Sequence, residues 1–237
     1  MRKYLIVAFA ALTAMAFTTV ALAQTPAATM TVKVKPKKAG TKKKPKNSSI
    51  ELNIKNNDPK KTLAKLEITS PKTFKLSTKG LTKCSLQTLE AGGPSACPKG
   101  SRVGGGTASA LVGVNSTTTA PTPLTFDVTA FVLGPKKLGF FLVGREIPIQ
   151  VLSPGTIKGN KLTITVPDTA QQPTPGTYAG LKEIHTTLKG KKGKHYLAST
   201  VGCKSKKHAF KTVLHFINNT VSPEGDVTVK GSSKCSK

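Results

Sequence analysis

Apolar and polar residues alternate with a period of two along most of this chain. Met30, Val32 and Val34 share one face of a first segment, with Lys33 and Lys35 on the other. Ile50, Leu52 and Ile54 repeat the pattern against Glu51, Asn53 and Lys55. Successive side chains of a β-strand point to opposite faces, so this alternation predicts half-buried strands. Further runs read the same way at 66–68, 74–76, 108–114, 124–132, 138–143, 162–166, 184–188, 210–216 and 227–229, with Gly, Pro, Asn and Ser between them. Lys158-Gly159-Asn160-Lys161 joins two apolar runs and carries a two-residue hairpin signal. The runs around Phe126–Phe131 and Phe140–Phe141 are apolar on both faces, which places them centrally in a sheet. The expected fold is all-β: an antiparallel β-sandwich over residues 29–237 as one domain, preceded by a flexible start at 24–28.

One short helix fits this scheme, between Cys84 and Cys97. Ser85 is placed to cap it, Leu86 and Leu89 give it an apolar side, and Gly92-Gly93 end it. Two loops stand apart. Residues 170–180 are rich in Gln and Pro, and residues 36–47 hold Lys37, Lys38, Lys42, Lys43, Lys44 and Lys46. By composition alone the second loop reads as a disordered basic linker. Matched strand patterns flank it, which makes it a long hairpin loop projecting from a sheet edge. Gly104-Gly105-Gly106 reads as a strand bend or bulge.

The first 23 residues break the alternation. Arg2 and Lys3 precede an apolar stretch from Leu5 to Phe17 that only Thr13 interrupts, and Ala21-Leu22-Ala23 gives a small-x-small pattern before Gln24. This order predicts a secretory signal peptide at 1–23, cleaved after Ala23; an uncleaved anchor is the alternative. Cleavage takes 23 of the 237 residues and leaves 214, enough for one domain with a full core. No transmembrane segment is expected after processing, and no lipid-attachment cysteine follows the cleavage point. The expected location is secreted or extracytoplasmic, with cell-envelope association as the narrower version.

Charge sharpens the picture. The chain carries +27, or +25 once Arg2 and Lys3 are removed, and only Arg102 and Arg145 remain as arginines. Lysine is a hydrated point charge without the planar fork that reads phosphates and bases bidentately. A lysine field therefore attracts polyanions without selecting among sequences. Trp is absent and tyrosine is limited to Tyr4, Tyr178 and Tyr196, so stacking platforms for single strands are lacking. Sequence-specific nucleic-acid binding is not expected. The plainer reading of the lysines is a set of solvated loops that keep the protein soluble.

Four cysteines remain after the leader: Cys84, Cys97, Cys203 and Cys235. In an oxidising compartment an even count reads as two disulfides, with three possible connectivities. Proximity favours Cys84–Cys97, which leaves Cys203–Cys235 to close the open end of a hairpin made by the last two strands. No CxxC or His-x-Cys spacing supports a metal, and no cofactor is expected.

Catalytic signals are weak. The ten acids are scattered, and only Glu224 and Asp226 lie close, in a Pro-Glu-Gly-Asp turn. Paired carboxylates suit glycosidase chemistry or Ca²⁺, yet turn chemistry explains these two without either. His208 and His215 fall seven apart on one strand and so face opposite ways. His185 falls with Glu183 and Thr187 on a solvent face. No Gly-x-Ser-x-Gly elbow occurs, and Gly104-Gly105-Gly106-Thr107 lacks the final glycine and the helix of a dinucleotide loop. Sequons begin at Asn47, Asn115 and Asn218 and matter only in a glycosylating host.

The run from Pro36 to Lys46, Lys79-Gly80-Leu81 leading into Cys84, and Cys97-Pro98-Lys99-Gly100-Ser101 carry a further signal. With Val103-Gly104-Gly105-Gly106, Gly202-Cys203 and Lys234-Cys235, they resemble a family of exported, uncharacterised actinobacterial proteins. The resemblance spans most of the mature chain and thins between Val114 and Gly180. It implies an exported, disulfide-bonded domain and carries over no catalytic residue. The expected function is therefore non-catalytic: an exported protein that interacts with anionic cell-envelope or extracellular polymers, with Lys37, Lys38, Lys42, Lys43, Lys44 and Lys46 as the anion-binding group. The alternative is a secreted hydrolase whose site assembles only in three dimensions.

Overall fold

The computed structural model describes residues 26–237, so the leader lies outside the described residues. Sixteen strands follow in chain order: β1 (Ala28–Lys35), β2 (Lys46–Asn47), β3 (Ser49–Asn56), β4 (Thr62–Thr69), β5 (Phe74–Leu76), β6 (Arg102–Val112), β7 (Thr122–Gly134) and β8 (Lys137–Gly144). Then come β9 (Gln150–Lys158), β10 (Lys161–Thr165), β11 (Ala179–Leu188), β12 (Lys191–Lys192), β13 (His195–Tyr196), β14 (Ala198–Thr200), β15 (Lys207–Ile217) and β16 (Gly225–Lys234). Eleven of them form one antiparallel sheet in the order β1-β3-β11-β6-β7-β8-β9-β10-β4-β15-β16. The double-faced strands β7 and β8 stand in its middle, as their pattern predicts. Ala28 corrects the expected flexible start: it is buried, opens β1 and pairs with Asn56.

The sheet rolls over until its two edges meet. Side chains of the hairpin β15–β16 make the contact with β1: Ser233 Oγ of β16 accepts from Val34 N–H at 2.8 Å, and Thr212 Oγ1 of β15 donates to Met30 Sδ at 3.0 Å. Just beyond the strands the backbones join directly. Ala39 N–H donates to the Ser236 carbonyl and Ser236 N–H to that of Lys37, each at 2.9 Å. The result is a sandwich-like barrel with one apolar interior. Its edges are covered rather than left as templates for aggregation.

Close packing inside the sheet demands small residues on β6. A Cβ at Gly106 would run into the backbone oxygen of His185 on β11. The register between β6 and β7 also shifts between Arg102 and Gly104, so the glycine run is both a close approach and a bulge.

The helix α1 (Leu86–Ala96) lies between the cysteines as predicted. Ser85 Oγ accepts from Thr88 N–H at 2.9 Å, and Gly93 breaks the run with φ of 63° before Pro94. Leu89 is fully buried and packs with Cys84, Cys97, Phe131 and Phe141. The outer faces of β7 and β8 are apolar because this disulfide-pinned helix covers them. A single further turn, α2 (Asp168–Gln171), lies in the Gln/Pro-rich loop, and a 3-10 turn spans Lys99–Ser101.

Both cysteine pairings occur as expected, with Cα–Cα distances of 5.2 Å for Cys84–Cys97 and 5.9 Å for Cys203–Cys235. The second sits at the open end of the β15–β16 hairpin, where Lys207 pairs with Lys234.

Candidate functional site: a lysine-bearing barrel end

Because every neighbouring pair in the main sheet is antiparallel, connections alternate between the two ends of the barrel. One end collects 36–48, 70–101, the β7–β8 and β9–β10 turns, 189–206 and the C-terminal residues. The other collects 57–61, 113–121, 145–149, 166–178 and 218–224.

Charge follows this division. The first end holds nineteen lysines against one acid, Glu90: six lysines in 36–48, five in 70–101, six in 189–206, and Lys136 and Lys237. Eighteen of them are exposed and Lys46 is half-buried. The opposite end holds Lys60, Lys61 and Arg145 against Asp58, Glu146, Asp168 and Glu224. The residues predicted as an anion-binding group are thus part of a larger set.

A small sheet supports the lysine end. β2, β14 and β5 pair in the order β2-β14-β5 and seat Phe74, Leu197 and Ala198 in the core, all at most 1 % exposed. Burial of each large side chain contributes about 1.5–3 kcal/mol. This sheet corrects the expectation that 36–47 projects from an edge. Lys46 pairs with Thr200, Gly40 N–H donates to Thr200 Oγ1 at 3.2 Å, and Ser48 N–H donates to the Ala198 carbonyl at 3.0 Å. The loop's lysine side chains, apart from the half-buried Lys46, reach outward while its backbone is tied down. The backbone is held because its polar groups find partners on β14 and the C-terminal residues, partners that sequence proximity does not reveal.

Three shallow hollows indent this end. One, about 540 Å³, is lined by Lys35 and Lys189; a second, about 570 Å³, by Lys79, Lys83 and Lys136; a third, about 730 Å³, by Lys72, Lys207, Lys211 and Lys230. No acid lines any of them. Among the described residues, none of the nineteen lysines is within ion-pair distance of a carboxylate.

The acids are occupied elsewhere. The Lys33 ammonium holds the Glu51 carboxyl below its ordinary value, Lys161 does the same for Glu67, Arg145 for Asp127, and the Thr125 N–H for Glu146. All four of these carboxyls are held below their ordinary values, the opposite of what a general acid needs.

Histidine geometry points the same way. His215 Nδ1 lies 2.7 Å from Asp226 Oδ1, and Nε2 lies 3.8 Å from Glu67. Asp226 is therefore a strand residue facing His215 rather than part of a turn, because the hairpin pairs those two positions. Among the described residues no hydroxyl or thiol hydrogen-bonds this ring. His208 is buried on the inner face of β15, opposite in facing to His215 as predicted, and meets Thr73 Oγ1 at 3.0 Å. Its buried Nε2 has no partner, and burial pushes its pKa down. Neither histidine forms a nucleophile–base–acid relay. Among the described residues, no group of three or more His, Cys, Asp or Glu is arranged to hold a metal, and no helix is long and apolar enough to cross a membrane.

No family model and no curated protein matches the chain. Among solved structures, it is similar to BcpA, the major pilin subunit of Bacillus cereus, at 13 % identity with a TM-score of 0.36. The match covers 88 % of this chain and 40 % of the pilin, so the chain spans less than half of that protein's length. So loose a superposition supports no inference about role.

Proposed function

We propose that this protein is an exported, non-catalytic β-barrel that holds anionic polymers of the cell envelope or its surroundings through its lysine-bearing end. One observation carries the reading: nineteen lysines and a single acid share one end of the barrel. Export is supported by the leader pattern at 1–23 and by two disulfides. We also propose membership of the exported actinobacterial family on the motifs at 36–46, 79–84 and 97–106.

The chemistry sets the mode of binding. Lysines supply point charges, so attraction comes from counterion release and weakens steeply as salt rises. Screening at physiological ionic strength limits the reach to about 8 Å, so direct ammonium–anion contacts do the holding. A polymer whose charges repeat along its length matches a surface whose lysines are spread over three hollows and the 36–47 loop.

The test is salt elution from immobilised heparin. Changing Lys42, Lys43 and Lys44 to Gln, and separately Lys79, Lys83 and Lys136 to Gln, is expected to lower the eluting salt concentration in each case. Changing Lys60 and Lys61 to Gln at the opposite end is expected to leave it nearly unchanged. Losses from all three variants in proportion to the lysines removed would mean that net charge alone acts and that no end is special.

A further inference from the structure

At the end away from the lysines the barrel is hollow. A cavity of about 140 Å³ lies between strands of both halves of the rolled sheet, walled by Ala108 and Ala110 of β6, Phe126 of β7, Leu142 of β8, Ile164 of β10 and Ile184 of β11. These six side chains are only half-buried although each lies within the main sheet. The space has a definite origin in the sequence. From Gly104 to Ala110 the central strand β6 carries nothing larger than threonine, so its stretch of the wall is thin where a Leu or Phe would close the interior. Interiors are ordinarily packed to crystal-like density, and a void of this size forfeits contacts on every side.

We infer that this cavity is a binding site for an uncharged hydrocarbon group, such as a short alkyl chain or a single aromatic ring. Ser109 and Ser153 are the only polar residues among those lining it. Water there would miss most of its hydrogen bonds; apolar cavities near this size stay dry and accept benzene. An anionic head group is disfavoured at the mouth. The connections of this end carry four carboxylates against three basic side chains, and of the latter Lys61 lies 3.9 Å from Asp58 and Arg145 2.6 Å from Asp127. Ala170 of α2 and Pro173 also line the cavity, and Gln171 Nε2 fastens the turn by donating to the Val166 carbonyl at 2.7 Å. The neutral chain has two sources, a free small molecule or the tail of a lipid, and both present the same CH₂ surface.

Calorimetric titration of the full chain with toluene, 1-hexanol, hexanoate and a zwitterionic single-chain lipid tests this. Saturable binding of toluene or 1-hexanol at one per protein is expected, with hexanoate at least tenfold weaker than 1-hexanol. Binding of the single-chain lipid at least tenfold tighter than 1-hexanol identifies a lipid tail as the source; weaker binding identifies a free molecule. Ala110→Leu, which fills the space, is expected to abolish binding while the melting temperature stays at or above that of the unaltered protein. If that variant does not fold, Ala108→Val gives the same test with one smaller step. Absence of binding by the unaltered protein up to ligand saturation, or undiminished binding in a folded filled variant, overturns the inference. So does hexanoate binding as tightly as 1-hexanol. None of these outcomes bears on heparin retention, so the two ends are judged separately.

Discussion

The two ends of the barrel are built from the same eleven strands yet solve opposite problems. At the lysine end, β2, β14 and β5 fill the interior with Phe74, Leu197 and Ala198, and repelling charges are spread over loops tied down by backbone hydrogen bonds and the Cys203–Cys235 bond. At the other end little charge has to be held apart, no second sheet enters, and the interior stays open beneath a single helical turn. Lysines close together destabilise a compact state by self-repulsion. A surface that gathers nineteen of them needs a rigid foundation; a surface with balanced charge can leave space. Packing and charge are distributed together.

The sharpest way to break this contrast is to make the same truncation at both ends. Phe74→Ala removes a side chain 1 % exposed at the filled end and is expected to cost about 3–5 kcal/mol. Phe126→Ala removes one already half-exposed to the cavity and is expected to cost less than half as much, because little close packing is lost. Urea denaturation measures both. Equal costs would mean that the hollow end is as well packed as the other.

Next in size are the cross-links. Replacing Cys203 and Cys235 together by Ser frees a loop with a sequence separation of 32 and is expected to cost about 4 kcal/mol on loop-closure grounds; the shorter Cys84–Cys97 loop gives about 3 kcal/mol. Loss of Cys203–Cys235 should also raise amide exchange in 36–48, which pairs with the C-terminal residues, and leave 166–178 unchanged. Faster exchange at both ends alike would show that the bond stabilises the barrel globally instead of anchoring one end.

The smallest effect concerns His208, which lies beside Thr73 and Phe74 at the filled end. Burial lowers its folded pKa below the ordinary value of 6.5, so below that pH the unfolded chain binds a proton that the folded chain refuses. Stability is therefore full above pH 6.5 and declines as the pH falls toward the lowered folded value. His208→Gln should flatten the dependence of the urea midpoint between pH 7 and 5. An unchanged dependence would place the titrating group elsewhere.

Local pattern and three-dimensional arrangement contributed differently to what can be read from this chain. Alternation at Met30–Val34, Ile50–Ile54 and Phe210–Phe216 is a property of neighbouring residues, so the all-β class, the opposite facing of His208 and His215, and the central place of Phe126–Phe131 were all legible. The cap at Ser85 and the cysteine pairing were legible too, because caps act within one turn and the last hairpin brings Cys203 to Cys235. Three things were not. The short strands β2 and β14 escape a period-two reading, since neither Lys46-Asn47 nor Ala198-Ser199-Thr200 sets large apolar residues on one face as Phe74-Lys75-Leu76 does; hence 36–47 read as a projecting loop. The cavity depends on which residues face the small side chains of β6 across a barrel interior. The lysine end depends on strand count: lysine-rich connections alternate with lysine-poor ones along the chain, a regularity that means nothing until antiparallel pairing sends alternate connections to opposite ends. Sequence by itself determined the strand class, the alternating faces and which residues carry charge, because local chemistry decides these. Only the tertiary structure decided that the charge gathers at one end and the empty space at the other, because both follow from how the sheet rolls and closes.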